Sequence, residues 1–301
     1  MAVQDLHSID ISAPLIRLFD GGRAIPGAVL SLVPETPQIN VGDNTVLTLA
    51  GRAKGQLLHE SGAKGDNGRK IVPKPFTTVK LVYSQRVTDE FLRWTEAKQI
   101  DFIGGLVNNW LTKSMPRDID TVVLHGIDPF SGEVDTTLSD YVTKAGSSIL
   151  VPSTGDTAAA IDTDFATAVA DLGANGVDIN GIAITGDSAA KLATIVENGR
   201  AKYTGLGVFG LEGNNLSGKR AASTPEVGAN GVKLVMGDWS QLLLGFAGQA
   251  TWRVHVAGDP DNTGKDLAGY NQVLIRLELH FGFRVLDDKA LAYIGTGSVT
   301  A

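Results

Sequence analysis

The sequence predicts an α+β protein, and three observations carry that expectation. Alternating β-branched runs lie near both ends, at TVLTLAG and FTTVKLVYSQRV and again at NQVLIRLELHFGFRVL and ALAYIG. A single long amphipathic helical pattern follows the early strands. A compact helix–strand–helix block then occupies the middle of the chain.

Composition narrows the classes before any motif does. The 301 residues are 43% hydrophobic, enough for one or two buried cores, and no stretch approaches the roughly 20 apolar residues needed to span a bilayer. The opening MAVQDLHSIDISAPL lacks the basic and apolar regions of a secretory signal, so the expected location is cytoplasmic and no membrane partner is expected. With no cysteine, disulfides, thiolate metal sites and a cysteine nucleophile are excluded. A net charge of -7 argues against a sequence-specific nucleic-acid binder, which carries a basic face for phosphates, but leaves room for a wall that encloses DNA.

Along the chain, residues 1–40 mix Pro14, Pro26, Pro34 and Pro37 with Leu15, Ile16, Leu18 and Phe19 and hold no steady period. They read as an extended arm whose apolar side chains need another surface. From Thr45 the TVLTLAG run and the FTTVKLVYSQRV run from Phe76 read as two strands of one long hairpin. Between them lies GRAKGQLLHESGAKGDNGRKIVPKP, with Arg52, Lys54, Lys64, Arg69, Lys70 and Lys74 against only Glu60 and Asp66. A basic excursion of that length in an acidic chain fits an element that reaches across an acidic neighbour. Ile100, Ile103, Val107, Trp110 and Leu111 recur at helical spacing, and Pro116 should kink that helix or start a second one before Gly126 closes it. A helix is expected from Asp162 to Leu172, a strand at GIAIT (181–185), and a second helix from Asp187 to Asn198, capped by Asp187 or Ser188 and stopped by Gly199. Strand-like runs return at VKLVMGD, QLLLGFAG and TWRVHVAG.

Few constellations suggest chemistry. Gly205-Leu-Gly207-Val-Phe-Gly210 has the spacing of a dinucleotide loop but follows a helix and turn and opens no helix, so a nucleotide-dependent enzyme is the reading of another class to keep beside the main one. Asp259-Pro-Asp261-Asn-Thr-Gly264 resembles the start of a calcium loop, yet Tyr270 stands at the twelfth position where a bidentate glutamate is required, and a turn is expected instead. Asn215-Leu-Ser217 is a glycosylation sequon without a secretory context. The five histidines have no metal-ligand spacing and there is no G-x-S-x-G elbow, so no metal and no cofactor are expected. On the strand from Val273 to Phe281, Val273, Ile275, Leu277, Leu279 and Phe281 form an apolar face, while Leu274, Arg276, Glu278 and His280 form the other, read as solvent-facing.

The order of arm, basic hairpin, long helix, small α/β layer and terminal β-ribbon resembles the major capsid fold of the Hong Kong ninety-seven type found in tailed bacteriophages. TTVKLVYSQRVTDEF leading into the helix that ends at Gly126, ENGRAKY after the second α/β helix, and GDWSQ before the closing strands carry the resemblance over nearly the whole chain. It implies an N-terminal arm at 1–42 and an extended loop at 43–85. A peripheral domain with a long spine helix would take 86–157 and 240–280, and an axial α/β domain 158–239 and 281–301. The loop 200–225 would then lie at the rim of fivefold and quasi-sixfold axes. The implied function is a self-assembling structural protein, building pentamers and hexamers of an icosahedral virion shell around double-stranded DNA in the bacterial host cytoplasm. Implied partners are further copies of the chain, a portal and a decoration protein, with a separate scaffolding protein or none. An encapsulin-like compartment shares this fold and is the nearer alternative. The family's prototype joins a loop lysine to an asparagine of a neighbour, assisted by a glutamate seven residues beyond that asparagine. The resemblance implies the same roles for Asn271 and Glu278, with Lys64 as the best-placed lysine and Lys54 and Lys70 as alternatives. It would be a single-turnover act in a chain that is otherwise not an enzyme.

Overall fold

A computed structural model describes residues 27–50, 70–207 and 210–297. Two sheets and one long interrupted helix organise them. The helix runs as α2 (Glu96–Asn109), a π-helical turn (Trp110–Ser114) and α3 (Met115–His125). Pro116 explains the wide turn: it has no N–H to donate, and its ring would press on the carbonyl one turn back in a regular α-helix. The expected kink is therefore a local widening inside one continuous helix. Gly126 ends it in the left-handed conformation at φ 66°, and the Tyr141 ring packs against its α-carbon. Ile103, Val107, Trp110 and Leu111 are buried as expected, whereas Ile100 is exposed.

The larger sheet is mixed, in the order β10 (Asn215–Leu216), β11 (Lys219–Ser223), β5 (Gly181–Ile184), β12 (Leu234–Gly237), β16 (Leu291–Gly295) and β4 (Ile149–Pro152). Alternation assigns its two faces to two cores. Ile182, Ile184, Leu234, Met236, Ala292 and Ile294 pack under α4 (Ala158–Ala174) and α5 (Gly186–Ala193). Ala183, Val235, Leu291 and Tyr293 belong to the other core, which they share with α3 and the short α1 (Ala28–Leu32).

Both α/β helices start earlier than their acidic residues suggest. Thr157 caps α4 by accepting from the Ala160 N–H at 3.2 Å, and Thr185 caps α5 by accepting from the Ser188 N–H at 3.2 Å. The second helix also ends early, at Ala193. Asn198 and Gly199, both at positive φ, instead turn a small hairpin between β6 (Val196–Glu197) and β7 (Arg200–Ala201). The segment expected as the loop 200–225 carries short paired strands, with β8 (Leu206–Gly207) against β9 (Gly210–Leu211) before β10 and β11. Gly205, at φ 89°, lies against the Asn215 carbonyl, where a side chain would collide. The described part of the GLGVFG run, Leu206–Gly207 and Gly210, thus lies in paired strands, and among the described residues no helix opens behind it.

The second sheet is built on β15 (Gln272–Val285). On one side it pairs with β3 (Val79–Thr88), and on the other with β13 (Leu242–Phe246) and β14 (Thr251–His255) in succession. This corrects the expected hairpin: VKLVYSQRV belongs to this sheet. The partner of β1 (Asp43–Ala50) is β2 (Lys70–Thr77), in register from Asp43↔Thr77 to Ala50↔Lys70. β15 is continuous through positions 280 and 281, the expected domain boundary. Its apolar face, Val273, Ile275, Leu277, Leu279 and Phe281, packs into the core under the long helix, where Tyr83 and Trp110 stack at 6.0 Å. Among the described residues no helix is long and apolar enough to cross a membrane.

One carboxylate ties the start of the described chain to the helix. Asp120, fully buried in α3, accepts from the N–H groups of Ala28 at 2.6 Å and Val29 at 2.8 Å and from the Thr224 hydroxyl at 3.0 Å. Burial pushes its pKa up to about 7 against these hydrogen bonds, and Glu226 adds to the rise. Five residues on, burial holds His125 down to about 4. The two act oppositely on stability. Asp120, raised above its unfolded value, contributes stability that is lost as pH rises from about 4 through 7. His125, depressed, contributes stability that is lost as pH falls from about 6.5 to 4. Asp120→Ala should lower stability by about 2–4 kcal/mol, because buried donors lose their acceptor. Asp120→Asn should fall further behind the natural chain in thermal midpoint at pH 5 than at pH 8, and an unchanged gap would contradict the assignment.

Candidate inter-subunit site

The expected site residues divide between the β1–β2 ribbon and the polar side of β15. Arg52, Lys54, Lys64 and Arg69 lie outside the described residues. Lys70 opens β2 at the end of the ribbon away from its base, opposite Ala50. Lys74 turns back, its Nζ donating to the Val285 carbonyl at 3.3 Å.

The ribbon is anchored at its base and uncovered beyond it. Phe76, buried, lies against Gly282, which pairs with Gly245; Ile39 crosses both glycines, and its N–H donates to the Phe246 carbonyl at 3.0 Å. A Cβ at either glycine would push Phe76 or Ile39 away. Further out, Thr45, Leu47, Ile71, Pro73 and Pro75 share one exposed face, with Leu47 at 68% and Ile71 at 59% of full exposure. Pro73 and Pro75 are two apart, so each sits where the backbone nitrogen points away from β1 and costs no ladder bond.

On β15, Glu278 pairs with Lys80 of the neighbouring strand at 2.7 Å. The hydrogen bond from Lys80 holds its carboxyl below the usual glutamate range, against the opposing effect of burial. Arg276, the partner weighed from sequence, instead donates to Ser84 Oγ at 3.2 Å and the Pro260 carbonyl at 2.6 Å. Asn271 enters the strand at φ 52°, ψ 49°, a left-handed position that asparagine tolerates, and its carbonyl accepts from the Asp89 N–H at 2.9 Å. Seven residues of extended strand put Asn271 and Glu278 about 23 Å apart in one chain. They are therefore not brought together within a subunit.

The face carrying Leu274, Arg276, Glu278 and His280 is not an open polar side. Leu274 is fully buried, because residues 256–271 fold back over that end of the sheet. Arg86, directly across from Leu274, holds the fold-back: it reaches Asp259 and Gln272 at 2.8 and 3.1 Å, Asp261 at 2.8 Å, Thr263 at 2.6 Å and the Lys265 carbonyl at 3.0 Å. Hydrogen bonding to Arg86 holds Asp261 down to about 2. The calcium-like DPDNTG run thus surrounds a guanidinium, and among the described residues no group of three or more potential ligands is placed to hold a metal. Sequence reading missed Arg86 and Lys80. Their only signal was a pair of cations on the outward-facing positions of an alternating strand.

No protein-family model matches the chain, and no curated protein does. Solved structures do match. A chain of Gordonia phage Cozz aligns at 25% identity and a TM-score of 0.69, covering 88% of this chain and 86% of that one. One of Mycobacterium phage Ogopogo aligns at 24% identity and 0.69, over 90% and 92%. The capsid of the empty GTA particle supplies a third at 14% identity and 0.58, over 90% of each chain. The fold is of the capsid type. In this capsid-type fold, Arg86 fixes the segment that presents Tyr270 and Asn271. Arg86→Ala should accelerate amide hydrogen exchange at Gly258, Thr263 and Gly264 while leaving β13 and β16 protected; uniform protection across both regions would argue against the clamp.

Proposed function

We propose that this chain is the major capsid protein of a tailed phage, assembling through pentamers and hexamers into an icosahedral shell around double-stranded DNA. One observation supports the reading beyond the capsid-type fold: the β1–β2 ribbon exposes Leu47, Ile71, Pro73 and Pro75, and nothing among the described residues covers them. Two strands alone are marginal in water, so a ribbon of this kind gains its stability from a neighbour. The GTA capsid of the same fold was computed with C5 symmetry. Closed symmetry lets many weak contacts sum, and the cations in and around the ribbon orient it against acidic neighbours. The role is structural, located in the virion after assembly in the host cytoplasm, with portal, decoration and scaffolding proteins as partners of the growing shell.

A covalent step fits the same surfaces. Neutral Lys64 of one copy attacks the Asn271 side-chain carbonyl of another; the isopeptide bond forms, the C–N bond to the amide nitrogen breaks, and ammonia leaves. Glu278, about 23 Å from Asn271 in its own chain, comes from a different copy, accepts the lysine proton and passes it to the departing amide nitrogen, which leaves as ammonia.

Negative-stain microscopy of the expressed chain should show closed shells or ring-shaped capsomers that dissociate at high salt. Monomers at every concentration would sink the reading. Denaturing electrophoresis of mature particles should show a ladder that Lys64→Arg abolishes; monomer-sized bands alone would remove the covalent step and leave the shell standing.

A further inference from the structure

Phe130 is the most exposed large apolar side chain among the described residues, at 99%. It is also rigidly mounted. The Asp128 carboxylate accepts from the N–H groups of Phe130 at 3.1 Å and Ser131 at 3.2 Å. The Asp128 carbonyl accepts from the Gly132 N–H at 2.8 Å, and the Asp128 N–H donates to the Glu133 carbonyl at 2.9 Å. Ile127 and Val134 bridge below this turn, and the Asp135 N–H returns to the Gly126 carbonyl at 2.8 Å, so the whole tip is seated on the end of α3. A ring held out on such a turn loses little freedom when something covers it, which is the condition for an efficient contact.

The surroundings say what that something is. Between positions 128 and 135 the chain carries Asp128, Glu133 and Asp135 and no cation. A surface of opposite character is present on the same molecule: the exposed apolar ribbon face of Leu47, Ile71, Pro73 and Pro75, with Lys70 at its outer end. Within one chain neither surface covers the other. We infer that Phe130 is an inter-subunit anchor whose partner is a second copy of this chain, with its ring seated on the neighbour's ribbon face and its acidic flank toward the Lys70 end. This rests on the shell-building reading and adds the residue and the surface that meet.

The test compares the full chain with Phe130→Ser and Phe130→Leu under assembly conditions. Because the ring touches little in its own subunit, Phe130→Ser should keep the dissociated subunit's circular dichroism and thermal midpoint. Light scattering and microscopy should show its particles only at ~10-fold higher protein concentration, about the change expected from 1.4 kcal/mol per contact, with Phe130→Leu in between. Assembly of Phe130→Ser at the natural concentration would overturn the anchor while leaving the shell reading intact. A natural chain that never assembles would overturn both. The seat is read separately, since the chain has no cysteine: in a Lys64→Arg background, oxidised particles of Phe130→Cys/Ile71→Cys should give a ladder on non-reducing denaturing gels that reductant removes and each single cysteine variant lacks, and monomer alone would overturn the ribbon as the partner surface.

Discussion

Burial of Met115–His125 on nearly every side is the constraint from which the other arrangements follow. Met115, Ile119, Val123 and Leu124 are fully buried in a core that receives both the apolar face of β15 and one face of the six-stranded sheet. A helix enclosed in this way keeps only a narrow strip of Arg117, Asp118 and Thr121 toward solvent, too narrow for all its polar residues. Asp120 and His125 are consequently interior, and Asp120 is tolerated because α1 brings two backbone donors and Thr224 a third to meet it. The π-helical turn before Pro116 belongs to the same constraint, since it lets the helix stay continuous while both halves keep their buried faces.

The rest of the molecule is a set of fixtures on that frame. Gly245 and Gly282 open a path for Ile39 and Phe76, which fixes where the ribbon leaves the body. Arg86 draws 256–271 over Leu274, which fixes where Asn271 enters β15. The Asp128 turn fixes Phe130. Each fixture uses hydrogen bonds or close packing to hold a surface that stays exposed among the described residues, a pattern consistent with the proposed shell.

Much of the fold was legible because hydrophobic period and capping chemistry are local. The strands at 181–184, 234–237, 242–246, 251–255 and 291–295 follow from short apolar runs, and the end of the long helix at Gly126 from a left-handed glycine. Misreadings arose where a local signal had two meanings. The run KIVPKP falls in the basic excursion by composition, yet it forms most of β2, while the strand pattern from Phe76 covers the end of β2 and all of β3. Asn198-Gly199 was read as a helix stop and is a hairpin turn. Of the candidate site, the spacing of Asn271 and Glu278 was visible; that they lie far apart along one strand, and that Glu278 already holds Lys80, was not.

The sequence by itself determined the α+β class, the positions of most strands, the single long helix with its proline, and the uneven placement of charge, because these depend on neighbours within a few residues. Only the tertiary structure decided which strand pairs with which, which polar side chains are enclosed, and which apolar ones are left outside. Those outcomes depend on contacts between residues scores of positions apart, such as Asp120 with Ala28 or Arg86 with Asp261, and no local pattern encodes a partner at that distance.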